Sequence, residues 1–172
     1  YTWPTRDGED PVETLQLELL ERVMRIELTD SLREQLGKAY SPAADSELSR
    51  VWRGYGTFAI TASVNLADLA ATRAAILSTL AGLRTAAVAD DVLRRAREPL
   101  VEAIDNSLKT DRGWLALVSR AQSKPDRIDR QLQAAGRLRQ VTGAQVLALA
   151  QRYLAPERAV EIDVVPAGAT VP

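Results

Sequence analysis

The chain has 172 residues, 46% of them hydrophobic, a formal net charge of -1, and neither histidine nor cysteine. That is enough for one domain with a real core, and too nearly neutral for nucleic acid or an anionic membrane to attract it as a whole. The two missing residue types exclude disulfides, thiolate metal sites, cysteine nucleophiles and a serine–histidine triad.

Tyr1 to Pro4 reads as the end of an edge strand. Arg6 to Pro11 is a turn in which Asp10 is placed to cap a helix and Pro11 sits in its first turn. Leu15, Leu19, Val23, Ile26, Leu28, Leu32 and Leu36 then recur at helical spacing, and Leu20 and Met24 widen the stripe. The spacing predicts a long helix covered along much of its length, stopped by a left-handed cap at Gly37. Ser41 to Ser49 is a loop of small and polar residues with room for a strand. From Thr57 to Val64 the chain alternates, with Phe58, Ile60, Ala62 and Val64 on one face and Thr57, Ala59, Thr61 and Ser63 on the other. Gly54 and Gly56 precede that strand and suit a bend or a close backbone approach.

Asn65 is placed to cap a helix running through Leu69, Ile76 and Leu80 to about Arg84. A second helix starts near Ala89-Asp90-Asp91, and Pro99 is expected to kink or restart it. Asp111-Arg112-Gly113 and Lys124-Pro125-Asp126 read as breaks on either side of Trp114 to Val118. A short helix follows through Ile128, Leu132 and Leu138. Thr142 and Gln145 form a capping box for a last helix ending at Ala155-Pro156. Val160, Ile162 and Val164 alternate with Glu161 and Asp163 as a closing strand. The order predicts an α+β two-layer sandwich, a mainly antiparallel sheet with helices on one face and Thr57, Thr61, Ser63, Glu161 and Asp163 on the other. Residues 1–172 read as a single domain.

Charge is uneven. Residues 1–30 hold eight acids and three bases, and residues 84–139 hold twelve bases and eight acids. Without stacking aromatics that excess reads as a solvated helical surface rather than a nucleic-acid footprint. No stretch approaches the ~20 apolar residues of a membrane helix, and no signal peptide is visible. Because it opens on Tyr1 within a strand, the chain is expected to be a piece of a longer protein.

Catalytic chemistry is hard to place. Zinc would need carboxylates alone, and none fall at ligand spacing. The adjacent pairs Glu9-Asp10 and Asp90-Asp91 sit where helices begin, which capping and the helix dipole explain. Gly54-Tyr55-Gly56 lacks the third glycine of a dinucleotide loop. Arg33 and Tyr40 remain, seven residues apart across Gly37. On one reading Arg33 is a helix-end cation and Tyr40 half-buries its ring. On the other, both converge at the end of the sheet and donate hydrogen bonds to a carbonyl or carboxylate.

The run Leu32-Arg33-Glu34, Gly37 and Ala39-Tyr40-Ser41 resembles the C-terminal, non-zinc-binding domain of the pitrilysin/insulinase zinc peptidases, the inverted zincins related to mitochondrial processing peptidase. Trp3-Pro4, Tyr55-Gly56-Thr57-Phe58, Arg95 to Pro99, Val141-Thr142 and Tyr153-Leu154 fall where that family places its edge strand, glycine-led strand and later helices. The resemblance implies a metallohydrolase domain of the processing-peptidase type, closing a chamber opposite an N-terminal domain that carries H-x-x-E-H and the zinc. It implies that Arg33 and Tyr40 contact the backbone of a peptide or unfolded polypeptide near the scissile bond, and that this chain holds no metal and no catalytic residue. It also points to a bacterial envelope setting, to no nucleic acid and to no membrane span. Peptide pairing by strand addition is a further expectation. The competing readings are an inactive structural or assembly domain of the same fold and a free-standing peptide-binding module.

Overall fold

The structure is a computed structural model that describes residues 1–37 and 42–169. Its sheet has three antiparallel strands, β1 (Thr2–Thr5), β2 (Ala43–Leu48) and β3 (Gly56–Thr61), in the order β1-β3-β2. Six helices pack on one face: α1 (Pro11–Leu36), α2 (Leu69–Thr85), α3 (Asp90–Ser107), α4 (Asp111–Val118), α5 (Arg127–Gln140) and α6 (Gly143–Tyr153). The expected α+β sandwich is therefore the observed architecture.

The register fixes which side chains meet the helices. Trp3 lies opposite Phe58 and Ala44 opposite Ile60, and all four are buried. Their alternates, Thr2, Pro4, Ala43, Asp45, Glu47, Thr57, Ala59 and Thr61, share the other face by the period of two. Trp3 reaches furthest, donating from Nε1 to the Ala155 carbonyl at 2.9 Å and so tying the first strand to the end of α6.

Helix α1 runs through the middle of the helical layer, touching β2, α2, α3, α5 and α6. Leu17, Leu19, Leu20, Val23, Met24, Leu28 and Leu32 are all buried, so apolar residues surround it rather than form a single stripe. Asp10 accepts from the Val12 and Glu13 amides, with Pro11 in the first turn. Gly37, at φ 60°, closes the far end with its amide on the Arg33 carbonyl, a backbone shape that only glycine adopts without strain. The Thr142–Gln145 capping box starts α6 as its sequence predicts.

Several local expectations are corrected. Of the two outcomes expected at Pro99, a kink or a restart, the restart does not occur: α3 runs through it. Asp111 to Gly113 is not a break but the first turn of α4, capped by Thr110, whose Oγ1 accepts from the Gly113 amide. Asn65 caps only a 3-10 turn, Leu66–Asp68, and makes no side-chain cap bond there. The stretch from Leu66 to Thr85 is long and apolar enough by composition to cross a membrane, yet in the fold Ala75, Ile76, Leu80 and Leu83 turn inward. The closing strand shrinks to a single bridge, Val160 with Thr2.

Phase accounts for a further correction. Directly opposed residues share a face of the sheet, and Thr2 faces away from the helices. Val160 therefore does too, and Ile162 and Val164 follow it at 70% and 94% exposure. Glu161 and Asp163, expected on the open face, turn toward α2, where Arg73 binds them at 2.6 Å and 2.7 Å.

Candidate functional site

Sheet edges are where a peptide would add, and both are partly obstructed. On β2 the outward backbone groups belong to Ala44, Ser46 and Leu48. Arg25 Nη2 donates to the Ala44 carbonyl at 3.1 Å, and the Ser46 amide donates to Glu21 Oε1 at 2.6 Å. The Ser46 hydroxyl donates to the same carboxylate oxygen. Side chains of α1 thus take two of the groups that strand addition on this edge would use, the Ala44 carbonyl and the Ser46 amide. On β1, Thr2 is paired with Val160 and the next outward residue, Pro4, has no amide hydrogen.

Burial raises the Glu21 carboxyl above the usual carboxylate range, although its bonds from Ser46 pull the other way. Glu18 and Glu27 are also raised, in each case first by burial. A raised acid keeps its proton to a higher pH in the folded chain than in the unfolded one. Its contribution is fully present below the unfolded value, 4.5, and is lost as pH rises through the higher folded value. Glu21→Gln, which removes one of these carboxyls, is expected to flatten part of that decline in thermal melts taken upward from pH 4.5. An unchanged slope refutes the assignment.

Residues Glu21, Arg25, Thr29 and Arg33 recur every four positions and form a row that winds about 40° per step around α1, so that Arg33 stands roughly 120° from Glu21. The first two lie against Ser46 and Ala44, in that order. Further along α1 the row reaches Thr29 and Arg33, in the direction in which β2 runs back to Ala43, where Thr61 lies opposite. Arg33 is exposed in the last turn of α1. Tyr40, its expected companion, lies outside the described residues, so the structure does not show whether the two converge.

The same end of the sheet opens into a cavity of about 620 Å³, lined by Tyr1, Thr61 to Val64, α2 residues Leu69, Thr72, Arg73 and Ile76, and Val160 to Pro166. Burial first, and then the Glu161 carboxylate, push the Tyr1 phenol up to about 12. The link from Arg73 to Glu161 and Asp163 is the feature that sequence reasoning missed. The alternation in 160–164 was its only signal, and the composition of the stretch favoured the opposite phase.

A second groove, about 390 Å³, lies between α1 and the α2–α3 connection and includes Glu27, Asp30 and Glu34. Among the described residues, no group of three or more His, Cys, Asp or Glu is placed to hold a metal ion. A zinc centre thus does not fit the described residues.

Fold and site together define an α+β domain of the metallohydrolase type without a catalytic metal set among its described residues. The family model for the peptidase M16 inactive domain matches residues 1–100, and the chain belongs to that family. No curated protein matches it. Solved structures do. A protein from Bordetella pertussis Tohama I described as a zinc protease superposes with a TM-score of 0.73 at 16% identity, over 96% of this chain and 92% of that one. The inactive peptidase domain of a zinc protease from Bordetella parapertussis gives 0.68 at 15%, over 98% and 94%. The periplasmic protease PqqL of Escherichia coli gives 0.65 at 14%, over 89% of this chain but only 17% of its own length. At these identities the likeness is one of fold.

Proposed function

We propose that this chain is the substrate-holding, non-catalytic domain of a zinc-dependent endopeptidase, and that Arg33 and Tyr40 grip the backbone of a bound peptide near the scissile bond. A partner domain on the same chain or another subunit supplies the zinc. Family membership supports the inactive half of the assignment. The observation that supports the substrate-holding half is that Arg33 is exposed in the last turn of α1, about two turns past Arg25, whose guanidinium bonds the Ala44 carbonyl of β2. A guanidinium there presents a planar fork of donors to a carbonyl or carboxylate. The two obstructed edges argue that the peptide is held by such side chains rather than by a new ladder on this sheet.

Crosslinking tests the reading directly. With Tyr40 replaced by a photoreactive phenylalanine analogue in the full-length protein, irradiation with an unfolded polypeptide is expected to give an adduct that maps to position 40. No adduct from position 40, or an adduct only when the analogue stands instead at Glu47 on the outer face, removes the substrate-holding role and favours the structural domain instead.

A further inference from the structure

Thirteen large apolar side chains are exposed among the described residues, and six of them stand on two neighbouring protrusions. Val51, Trp52 and Tyr55 form the tip of the β2–β3 hairpin, the first two at 76% and 71% exposure. Trp114, Leu115 and Val118 belong to α4. Both tryptophans outside the core are in this set. The protrusions are joined at their bases. Arg50 donates to the two Asp126 carboxylate oxygens at 2.9 Å and 2.8 Å. The next residue, Arg127, donates to the Leu117 and Ala116 carbonyls at the end of α4, each at 3.0 Å. Single exposed apolar residues are ordinary, but a cluster of this kind marks a contact surface.

The tip is held in place by its own hydrogen bonds. Ser49 Oγ accepts from the Val51 and Trp52 amides at 3.1 Å and 2.8 Å, and the Tyr55 amide donates to the Trp52 carbonyl. Gly54, at φ 70°, makes the turn, and its amide donates to Asp7. Helix α4 gives only Leu117 to the core and rests mainly on α5. Neither cavity described above includes any of the six side chains, so they stand out as knobs rather than line a groove. Charge around them is one-sided. Residues 49–56 hold two bases and no acid, and residues 109–127 hold five bases and two acids. Of those acids, Asp126 is taken by Arg50 and Arg130, and Asp111 sits in the first turn of α4, where the helix dipole favours it. Asp7, on which Arg53 acts, gives its oxygens to the Gly54 and Glu9 amides. Arg112, Arg120 and Lys124 make no ion pair among the described residues.

We propose that this end of the molecule rests on an anionic lipid surface, with the hairpin tip inserted and the bases beside it and around α4 on phosphate headgroups. Indole and phenol rings settle at the headgroup level, where one end of the ring is wet and the rest apolar. Lysine and arginine add attraction to anionic lipid within a Debye length of the surface. Two separate knobs, both flanked by bases, favour a surface that adapts to them over a protein socket that must match both. The contact is peripheral and involves no span. It also leaves the other end of the chain free. Arg25 meets Ala44 and Glu21 meets Ser46, so α1 runs opposite to β2. Arg33 therefore lies toward the Ala43 end, and the tip beyond Leu48 lies at the other. The inference does not depend on what Arg33 binds.

Vesicle flotation of the full-length protein tests the surface. Vesicles of phosphatidylglycerol and phosphatidylcholine in equal parts are compared with phosphatidylcholine alone. Binding is expected to be about tenfold or more tighter on the anionic vesicles and to weaken as salt is raised. Val51→Ser with Trp52→Ser is expected to reduce it about tenfold or more by removing the inserted tip. Arg53→Ser should reduce it about fivefold, the share of one base at the surface. All three side chains are exposed, so thermal midpoints should hold and exclude unfolding as the cause. Absence of binding to the anionic vesicles overturns the proposal, as does equal binding to both compositions. Undiminished binding by the Val51→Ser, Trp52→Ser variant overturns it too. If that variant instead loses self-association or a protein partner while its lipid binding is intact, the tip belongs to a protein socket and the lipid assignment falls.

Discussion

Trp3→Ala is expected to cost about 3–5 kcal/mol, the usual range for removing a large aromatic from a core. Trp3 is fully buried, lies 6.5 Å from Phe58 between ring centres, and holds the Ala155 carbonyl through its indole N–H. Truncation leaves both a void and a buried acceptor without its donor. A domain of this size has about 5–15 kcal/mol in all, so the loss takes a large share and lowers the midpoint by roughly 10 °C or more. Trp3→Phe separates the two parts. It keeps most of the ring and removes only the hydrogen bond, so it should cost nearer 1–2 kcal/mol. Urea melts of both variants decide the matter. A Trp3→Ala loss under about 1 kcal/mol means that the core does not depend on this contact between strand and helix.

The reason Trp3 matters so much lies in how little sheet there is. Among the described residues three short strands face six helices, and Trp3 is the largest side chain on the inner face. Close approach at Gly56 belongs to the same economy. A Cβ there would stand 2.1 Å from the Arg6 carbonyl and 2.5 Å from the Thr5 Oγ1. The crowding lets β1, β2 and β3 meet at the base of the hairpin.

What the sequence made legible follows from where single residues decide the outcome. Asp10 with Pro11, Gly37, and Thr142 with Gln145 are local devices, and each acts where it is read. The alternation in β3 is legible because Phe58 and Ile60 alternate along the strand with Thr57, Ala59 and Thr61. What was misread depends on partners distant in sequence. The face of 160–164 is set by the pairing of Val160 with Thr2 and by Arg73, which lies 88 residues before Glu161. Composition alone put the valines inward and the acids outward. The obstruction of β2 was equally hidden, because Glu21 and Arg25 look like ordinary exposed helix charges until the strand lies beside them. Of the candidate site, the position of Arg33 could be read from the helix period and the cap. Its relation to Tyr40 could not, since it depends on the path of the chain between Gly37 and Pro42.

Arg33→Ala in the full-length zinc peptidase should lower turnover by about 10²-fold, with zinc content unchanged. Deleting one preorganised donor to a developing oxyanion costs 10²–10³ in kcat, and an exposed arginine on a mobile side chain belongs at the lower end of that range. The kinetic split identifies the step. If the guanidinium bonds the carbonyl more strongly as charge develops, kcat falls and KM holds. If it only anchors the resting peptide, KM rises and kcat holds. Tyr40→Phe removes a single donor of the same kind and should act in the same parameter, by less. Glu34→Gln is the local control. Glu34 follows Arg33 but lines the groove between α1 and the α2–α3 connection, away from the row that flanks β2, so its loss should leave both constants within about twofold. Folding cannot imitate the result, because Arg33 is exposed and its substitution opens no cavity. Turnover within twofold of the parent for Arg33→Ala would assign the arginine to the helix end alone, and with it the whole chain to a structural part in the peptidase.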